Sequence, residues 1–97
     1  MKRSPLSEDA IERALVDLPG WSTSQDKLRK RFKFGSFPEA ISFLVRIAFD
    51  AERMNHHPEI ANVYSTVDIA LCTHDAGNKV TSLDVELATA IERIAWV

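Results

Sequence analysis

The sequence is poor in cysteine and has no long hydrophobic run. Cys72 is the only cysteine among the 97 residues, so no internal disulfide is possible. No apolar stretch approaches the ~20 residues of a membrane-spanning helix. The first residues have a basic start but lack the apolar segment of a signal peptide. We therefore expect a cytoplasmic protein that does not enter a membrane.

The sequence also lacks an excess of either charge. It has 12 lysines and arginines against 14 aspartates and glutamates, a formal net charge of −2. This balance argues against general attraction to nucleic acid or to anionic lipid. One row of basic residues lies on a single strand face, but such rows are more often solvated or protect a sheet edge. The row is Lys27, Arg29, Arg31 and Lys33.

The length and composition predict one globular domain over residues 1–97. Apolar residues make up 45% of the chain and charged residues 27%, and we find no repeat or low-complexity tract. A chain of this length builds only a modest core. Association between subunits would help it, so we expect a homodimer or homotetramer.

Helical spacing of apolar residues predicts a helix near each end of the chain. The first helix has Ser7 as its N-cap and stops at Pro19. The last helix has Thr81 as its N-cap, with Asp84 at the third position reaching back in a capping box. The predicted buried stripes are Ile11, Ala14, Leu15 and Leu18 in the first helix, and Leu87, Ile91, Ile94 and Ala95 in the last.

A third helix, in the middle of the chain, is the most strongly patterned. Ser36 and Glu39 form its capping box, and Pro58 disfavours helical geometry at the preceding residue, so the helix should end near Asn55. It is apolar around more of its circumference than one core-facing stripe needs. The predicted stripe is Ile41, Leu44, Val45, Ala48 and Phe49, and the candidates for an exposed apolar face are Phe43, Ile47 and Phe49.

Alternating apolar and polar residues predict strands on both sides of the central helix. Residues 27–34 alternate with the period of a half-buried strand, and Gln25-Asp26 is a turn signal before it. Residues 59–74 are also strand material, with a turn expected near Asn62. The order α-β-β-α-β-β-α predicts a two-layer α+β domain, in which a four-stranded antiparallel sheet carries three helices on one face.

Two of the three histidines are adjacent, and a proline follows them. They are His56 and His57, before Pro58. The local sequence alone favours the ordinary interpretation that they cap a helix end. Glu52 lies four residues before His56, so both can share one helix face if the last turn extends that far. Further ionisable residues at predicted element ends, where sites are commonly built, are His74 and Asp84.

The spacing of these residues resembles the signature of the pterin-4a-carbinolamine dehydratases. The segments "LPGW", "FPEA", "NHHPE" and "NVY" are also similar to that family, and the resemblance covers essentially the whole chain. Residue 60 is isoleucine where some relatives carry a large aromatic, which could alter how the edge of the pterin is packed. The signature positions are Glu52, His56, His57, Pro58, Tyr64, His74 and Asp84.

The resemblance implies a hydro-lyase that acts on a pterin. Such an enzyme removes the 4a-hydroxyl group of a 4a-hydroxytetrahydropterin as water and gives the quinonoid dihydropterin, a step in tetrahydrobiopterin recycling. Aromatic amino acid hydroxylases produce this substrate, so a functional link to a hydroxylase is implied. The elimination needs one acid and one base, and no metal or organic cofactor. Histidine, with an ordinary pKa of ~6.5, suits both tasks at neutral pH.

The resemblance also implies roles for the histidines. His57 and His74 are the leading acid and base, with the assignment between them open. His56 holds the pterin or acts as an alternative acid for the opposite stereoisomer. Strongly coupled histidines share their titration, which resists a single assignment.

Four further positions are implied to support the site. Glu52 orients His56 or accepts a hydrogen bond from the pterin. Asp84 supports a histidine or binds the ring, and it is equally a plausible capping acid. Pro58 fixes backbone geometry, and we interpret Tyr64 as structural.

Other functions remain open at this point. Animal relatives of this fold also act as dimerisation cofactors, that is, as transcriptional coactivators that bind a helix of a partner protein, which needs an exposed apolar helix face. A pterin-binding role in molybdenum-cofactor metabolism is a third possibility. A metal site is not predicted, because adjacent histidines rarely ligate one ion and the usual H-x₃-H and H-E-x-x-H spacings are absent.

Overall fold

The elements follow the predicted order α-β-β-α-β-β-α. The structure is a computed structural model, and the description is of residues 3–95. The last two residues of the predicted C-terminal helix, 96 and 97, lie outside the described residues. The elements are α1 (Glu8–Leu15), β1 (Ser22–Ser24), β2 (Lys27–Lys33), α2 (Phe37–Met54), β3 (Glu59–Val63), β4 (Thr66–Leu71), a 3₁₀ turn (His74–Ala76) and α3 (Ser82–Ile94).

The four strands form one antiparallel sheet in the order β1-β2-β4-β3. The central strands β2 and β4 pair from Leu28 opposite Leu71 to Lys33 opposite Thr66. Their alternate apolar residues are buried on the face that the helices cover, which confirms the two-layer α+β architecture. The buried strand residues of this core are Leu28, Phe32, Val67, Ile69 and Leu71.

Both hairpins turn through residues with positive φ. Gln25 (φ 54°) and Asp26 (φ 61°) form the β1–β2 turn, as two-residue hairpin loops of this twist require, so the predicted turn is confirmed. The β3–β4 turn lies at residues 64–65, with Tyr64 at φ 52°. The prediction of a turn near Asn62 was therefore two residues early. The amide of Asn62 instead donates to the carbonyl oxygen of Tyr64 at 3.2 Å.

The central helix α2 buries a different face from the predicted one. The predictions that Phe43 and Ile47 are exposed are wrong, whereas Phe49 is 75% exposed, as predicted. Two apolar stripes run along α2 with the same i, i+4 spacing, and periodicity alone does not say which stripe faces the sheet. The buried stripe is Ala40, Phe43, Ile47 and Ala51, and the predicted residues that are exposed are Ile41, Val45, Ala48 and Phe49.

The two outer helices begin as predicted. The hydroxyl of Ser7 accepts a hydrogen bond from the backbone N–H of Ala10 at 3.1 Å. The capping box between Thr81 and Asp84 is present at the start of α3. Helix α1 ends at Leu15, well before Pro19, because the chain passes through tight turns first. Within residues 3–95, none of the helices has both the length and the hydropathy that a membrane crossing requires.

Candidate active site

The end of α2 places the two adjacent histidines in different environments, one buried and one exposed. Asn55 is left-handed (φ 49°, ψ 43°), and the N–H of His56 bonds back to the carbonyl oxygen of Ala51 at 3.0 Å. This is the Schellman arrangement, which ends a helix at a left-handed residue. As a result His56 is only 7% exposed, whereas the side chain of His57 is 62% exposed.

Glu52 would share a helix face with His56 only if the last turn of α2 extended that far, and it does not. Glu52 Oε1 lies 3.2 Å from Nε2 of His57 instead. The i, i+4 relation would require the helix to continue to His56, but the left-handed Asn55 breaks it. Both partners are largely exposed, so solvent screens the pair and its contribution to stability is small. Glu52 therefore contacts His57 and not His56.

His56 meets Asp84 in the interior. Nε2 of His56 lies 2.5 Å from Oδ1 of Asp84, and Asp84 is fully buried. The other oxygen of Asp84 accepts the backbone N–H of Thr81 at 2.8 Å, which closes the capping box. One carboxylate therefore caps α3 and contacts a histidine that lies 28 residues away in sequence.

Thr73 also holds Asp84, and sequence reasoning did not single it out. Its hydroxyl donates to Oδ2 of Asp84 at 2.9 Å and lies 2.7 Å from the hydroxyl of Thr81. Buried carboxylates need such donors, because an unsatisfied buried charge is costly. The only signal in the sequence was the position of Thr73 directly before His74. Its partners are 8 and 11 residues further along the chain.

His74 begins the 3₁₀ turn after β4 rather than ending the strand. Its Nδ1 lies 2.6 Å from Oδ1 of Asn78, a residue in the left-handed region at φ 61°. Because an amide oxygen only accepts, Nδ1 of His74 carries the hydrogen. In the neutral ring Nε2 is then the nitrogen that can accept a proton.

A cleft of about 390 Å³ opens beside His74. Lys27 pairs with Glu59 across its wall, at 2.9 and 2.8 Å to the two carboxylate oxygens. Burial raises the pKa of the Cys72 thiol, and the negative charge of Glu59 raises it further. Within residues 3–95 the lining includes His74 but neither of the adjacent histidines. The lining residues are Gln25, Asp26, Lys27, Glu59, Cys72, His74, Gly77 and Asn78.

A larger cleft, of about 570 Å³, lies over the polar face of the sheet, and no histidine is among the residues within 3–95 that line it. Arg31 on this face pairs with Asp68 at 2.8 Å, and the carboxylate raises the pKa of the guanidinium. Lys27 in the same basic row is paired with Glu59. Carboxylates therefore offset the charges of Lys27 and Arg31, two of the four basic residues in this row. The acid–base residues make the smaller cleft the better candidate for chemistry.

The structure thus brings together some of the predicted site residues. His56 and Asp84 are in contact, and Asp84 is bonded to Thr73, the residue before His74. Tyr64 lies at the β3–β4 turn and is 68% exposed. No group of three or more histidine, cysteine, aspartate or glutamate side chains among residues 3–95 is arranged to hold a metal ion.

The sequence matches the family model described as pterin 4 alpha carbinolamine dehydratase over residues 4–94. The chain belongs to this family. A provisionally named pterin-4-alpha-carbinolamine dehydratase of Opitutus terrae is 55% identical, with 95% of each chain covered. A relative from Mesorhizobium japonicum with the same provisional name is 50% identical, with 91% of each chain covered.

Two solved structures share the fold of this dehydratase family member. A protein from Brucella melitensis, described as a transcriptional coactivator/pterin dehydratase, has a TM-score of 0.90 and 37% identity, covering 95% of this chain and 99% of that one. A pterin dehydratase-like protein described as a RuBisCO assembly factor in the alpha-carboxysome has a TM-score of 0.64 and 26% identity, covering 78% and 87%. The two descriptions give different roles to proteins that share this fold.

Proposed function

We propose that the protein dehydrates a 4a-hydroxytetrahydropterin to the quinonoid dihydropterin by histidine acid–base catalysis. The observation that carries this proposal is the buried pair of His56 and Asp84, which is bonded to Thr73, the residue directly before His74. A carboxylate hydrogen-bonded to an imidazole is an arrangement by which catalytic sites fix the orientation and tautomer of a histidine. Membership of the family supplies the substrate class.

The reaction requires two proton movements. An acid protonates the 4a-hydroxyl group, the C4a–O bond breaks and water leaves. A base removes the proton of the neighbouring ring nitrogen, whose electrons form the new double bond. General acid–base groups of this kind contribute about 10²–10⁴-fold each.

We assign the base to His74 and the acid to His57. The hydrogen on Nδ1 of His74 is directed to Asn78, so Nε2 can take up the proton. Nε2 of His57 lies beside Glu52, and in the protonated ring Nδ1 then has a hydrogen to donate to the leaving hydroxyl. His56 remains the group that holds the pterin, or a second acid.

The cleft beside His74 is the proposed site for the amino-pyrimidinone end of the pterin. Among the described residues its lining includes His74 but neither His56 nor His57, so catalysis by His57 requires the rest of the pterin to extend past the cleft toward that histidine. The cleft volume of about 390 Å³ falls in the usual range for small-molecule sites. The carboxylate of Glu59 on its wall can accept hydrogen bonds from the amino-pyrimidinone edge of a pterin, which carries two adjacent N–H donors. Lys27 holds this carboxylate in place.

The test is the absorbance decay of freshly made 4a-hydroxytetrahydropterin. Wild type should accelerate it, and His57→Ala and His74→Ala should each lose at least about a hundredfold. Asp75→Ala is the matched control, because Asp75 is an exposed residue of the same 3₁₀ turn as His74, and it should behave as wild type. If wild type leaves the spontaneous rate unchanged, the proposed activity is wrong.

A second role rests on the exposed apolar stripe of α2. Phe37, Ile41, Val45 and Phe49 repeat every four residues and are 47, 37, 52 and 75% exposed. Such a stripe is typical of a protein interface. We propose that it joins copies of this chain into a homo-oligomer, with a helix of another protein as the alternative occupant.

A further inference from the structure

A buried chain of hydrogen bonds ends on His56. It runs from the backbone at the start of α3 through two hydroxyl groups and one carboxylate to the imidazole. Its members come from three parts of the fold: the loop after α2, the end of β4, and the cap of α3. All of them are nearly or fully buried: His56 7%, Thr73 6%, Thr81 0% and Asp84 0% exposed.

The direction of each bond follows from the donors available. The single hydroxyl hydrogen of Thr73 is given to Oδ2 of Asp84, so Thr81 must donate in the 2.7 Å bond between the two threonine hydroxyls. The hydroxyl of Thr81 in turn accepts from the N–H of Leu83 at 3.2 Å. Oδ2 of Asp84 already accepts two hydrogens, from Thr73 and from the Thr81 backbone. Both threonine hydroxyls and both carboxylate oxygens of this network thereby have hydrogen-bond partners.

The same logic fixes the hydrogen on His56. Oδ1 of Asp84 faces Nε2 of His56, and an ionised carboxylate only accepts. Nε2 therefore carries the hydrogen, and Nδ1 is the ring nitrogen that is free to exchange a proton.

We propose that Thr73 is a positioning residue that acts through Asp84 to hold His56 as the Nε2–H tautomer, so that Nδ1 is its reactive nitrogen. This inference rests on the proposed dehydratase function for its catalytic consequence. It goes beyond that function by assigning a role to Thr73. This residue directly precedes the catalytic candidate His74, but its hydroxyl bonds to Asp84, the partner of His56. The competing explanation is that Thr73 only stabilises the start of α3.

Two variants at position 73 separate these explanations. Thr73→Val keeps the shape of the side chain and removes the hydroxyl, whereas Thr73→Ser keeps the hydroxyl. A positioning role predicts that Thr73→Val lowers kcat by about tenfold to a hundredfold, the effect of losing one hydrogen bond to a charged group. KM should change by less than about threefold, since Thr73 makes no proposed contact with the pterin, and Thr73→Ser should retain most of kcat.

The tautomer itself is measured by ¹⁵N NMR of histidine-labelled protein, with His57→Ala and His74→Ala to assign the signals. In the neutral ring of wild-type His56, Nε2 should give the shift of a protonated nitrogen and Nδ1 that of an unprotonated one. Thr73→Val should shift this pattern toward a mixture, and Thr73→Ser should not.

A wild-type His56 protonated at Nδ1 would overturn the proposal, and so would a folded Thr73→Val variant with unchanged kcat and unchanged ¹⁵N shifts. If Thr73→Val does not fold, the wild-type and Thr73→Ser spectra still decide the tautomer. The NMR result does not depend on turnover. A wild type without dehydratase activity would therefore refute the proposed function, while the tautomer assignment would stand or fall separately.

Discussion

Replacing Asp84 by asparagine should separate stability from catalysis. Asp84→Asn keeps the size of the side chain and removes its charge. The amide oxygen can still accept the hydrogens of Thr73 and the Thr81 backbone. The amide nitrogen then faces Nε2 of His56, which must accept instead of donate, so the imidazole changes tautomer.

The effect on stability is small because two terms oppose each other. Hydrogen bonds to a charged group contribute about 1.5–3 kcal/mol and neutral ones about 0.5–1.5, so three weakened bonds lose roughly 3 kcal/mol. Removing a fully buried charge, however, relieves a desolvation penalty on the order of several kcal/mol. We expect the free energy of unfolding to change by about 1 kcal/mol or less. Asp84→Ala should cost at least about 3 kcal/mol, because it leaves three buried polar groups without a partner.

Urea unfolding followed by tryptophan fluorescence, to which the buried Trp21 contributes, together with the dehydratase assay, tests this prediction. Asp84→Asn should unfold at nearly the wild-type urea concentration and lose at least about tenfold in kcat. A variant that is clearly destabilised yet fully active would show that Asp84 is a capping residue and nothing more. That result would refute the reasoning that links Asp84 to His56.

Three further predictions concern other parts of the fold. Because burial raises the pKa of Cys72, iodoacetamide at pH 8 should alkylate the folded protein more slowly than the urea-unfolded protein. Equal alkylation rates would contradict this account. The folded thiol also keeps its proton to higher pH than the unfolded one, so the free energy of unfolding of wild type should fall relative to that of Cys72→Ala as the pH rises through the pKa of the unfolded thiol. Asn55→Ala should lower the free energy of unfolding by about 1 kcal/mol, because alanine resists the left-handed conformation, whereas Asn55→Gly should lose little in urea unfolding; equal losses would contradict the role of the left-handed turn. Phe49→Glu should shift the protein to a smaller oligomer in sedimentation velocity, while Val16→Glu, at an exposed apolar residue of another segment, should not; an unchanged oligomer would exclude this stripe as the interface.

Features that depend on neighbouring residues could be predicted from the sequence. The Thr81–Asp84 capping box and the Gln25-Asp26 turn are local, since each is set within four residues, and both are present. The element order followed from the same local signals. The buried face of α2 did not, because two apolar stripes of equal spacing compete and only contact with the sheet selects one.

The candidate site shows the same limit. Residue types and spacing singled out His56 and Asp84, but the direct bond between them joins residues 28 positions apart and depends on the packing of α3 against α2. The condition for Glu52 to share a helix face with His56 failed because of one residue, Asn55, whose left-handed conformation ends the helix before His56. Glu52 contacts His57 instead. Thr73 was missed because a single threonine forms no sequence pattern, and its partners Thr81 and Asp84 become its neighbours only in the folded structure.

The most direct test of the central claim is the initial rate of 4a-hydroxytetrahydropterin dehydration as a function of protein concentration. Acid–base catalysis by these histidines predicts a rate that rises in proportion to wild-type protein, saturates with substrate, and falls to near the spontaneous rate with His57→Ala and His74→Ala. A rate that stays at the spontaneous value for wild type would contradict the account. It would leave the buried His56–Asp84 pair as a structural feature of a protein that uses this fold for binding.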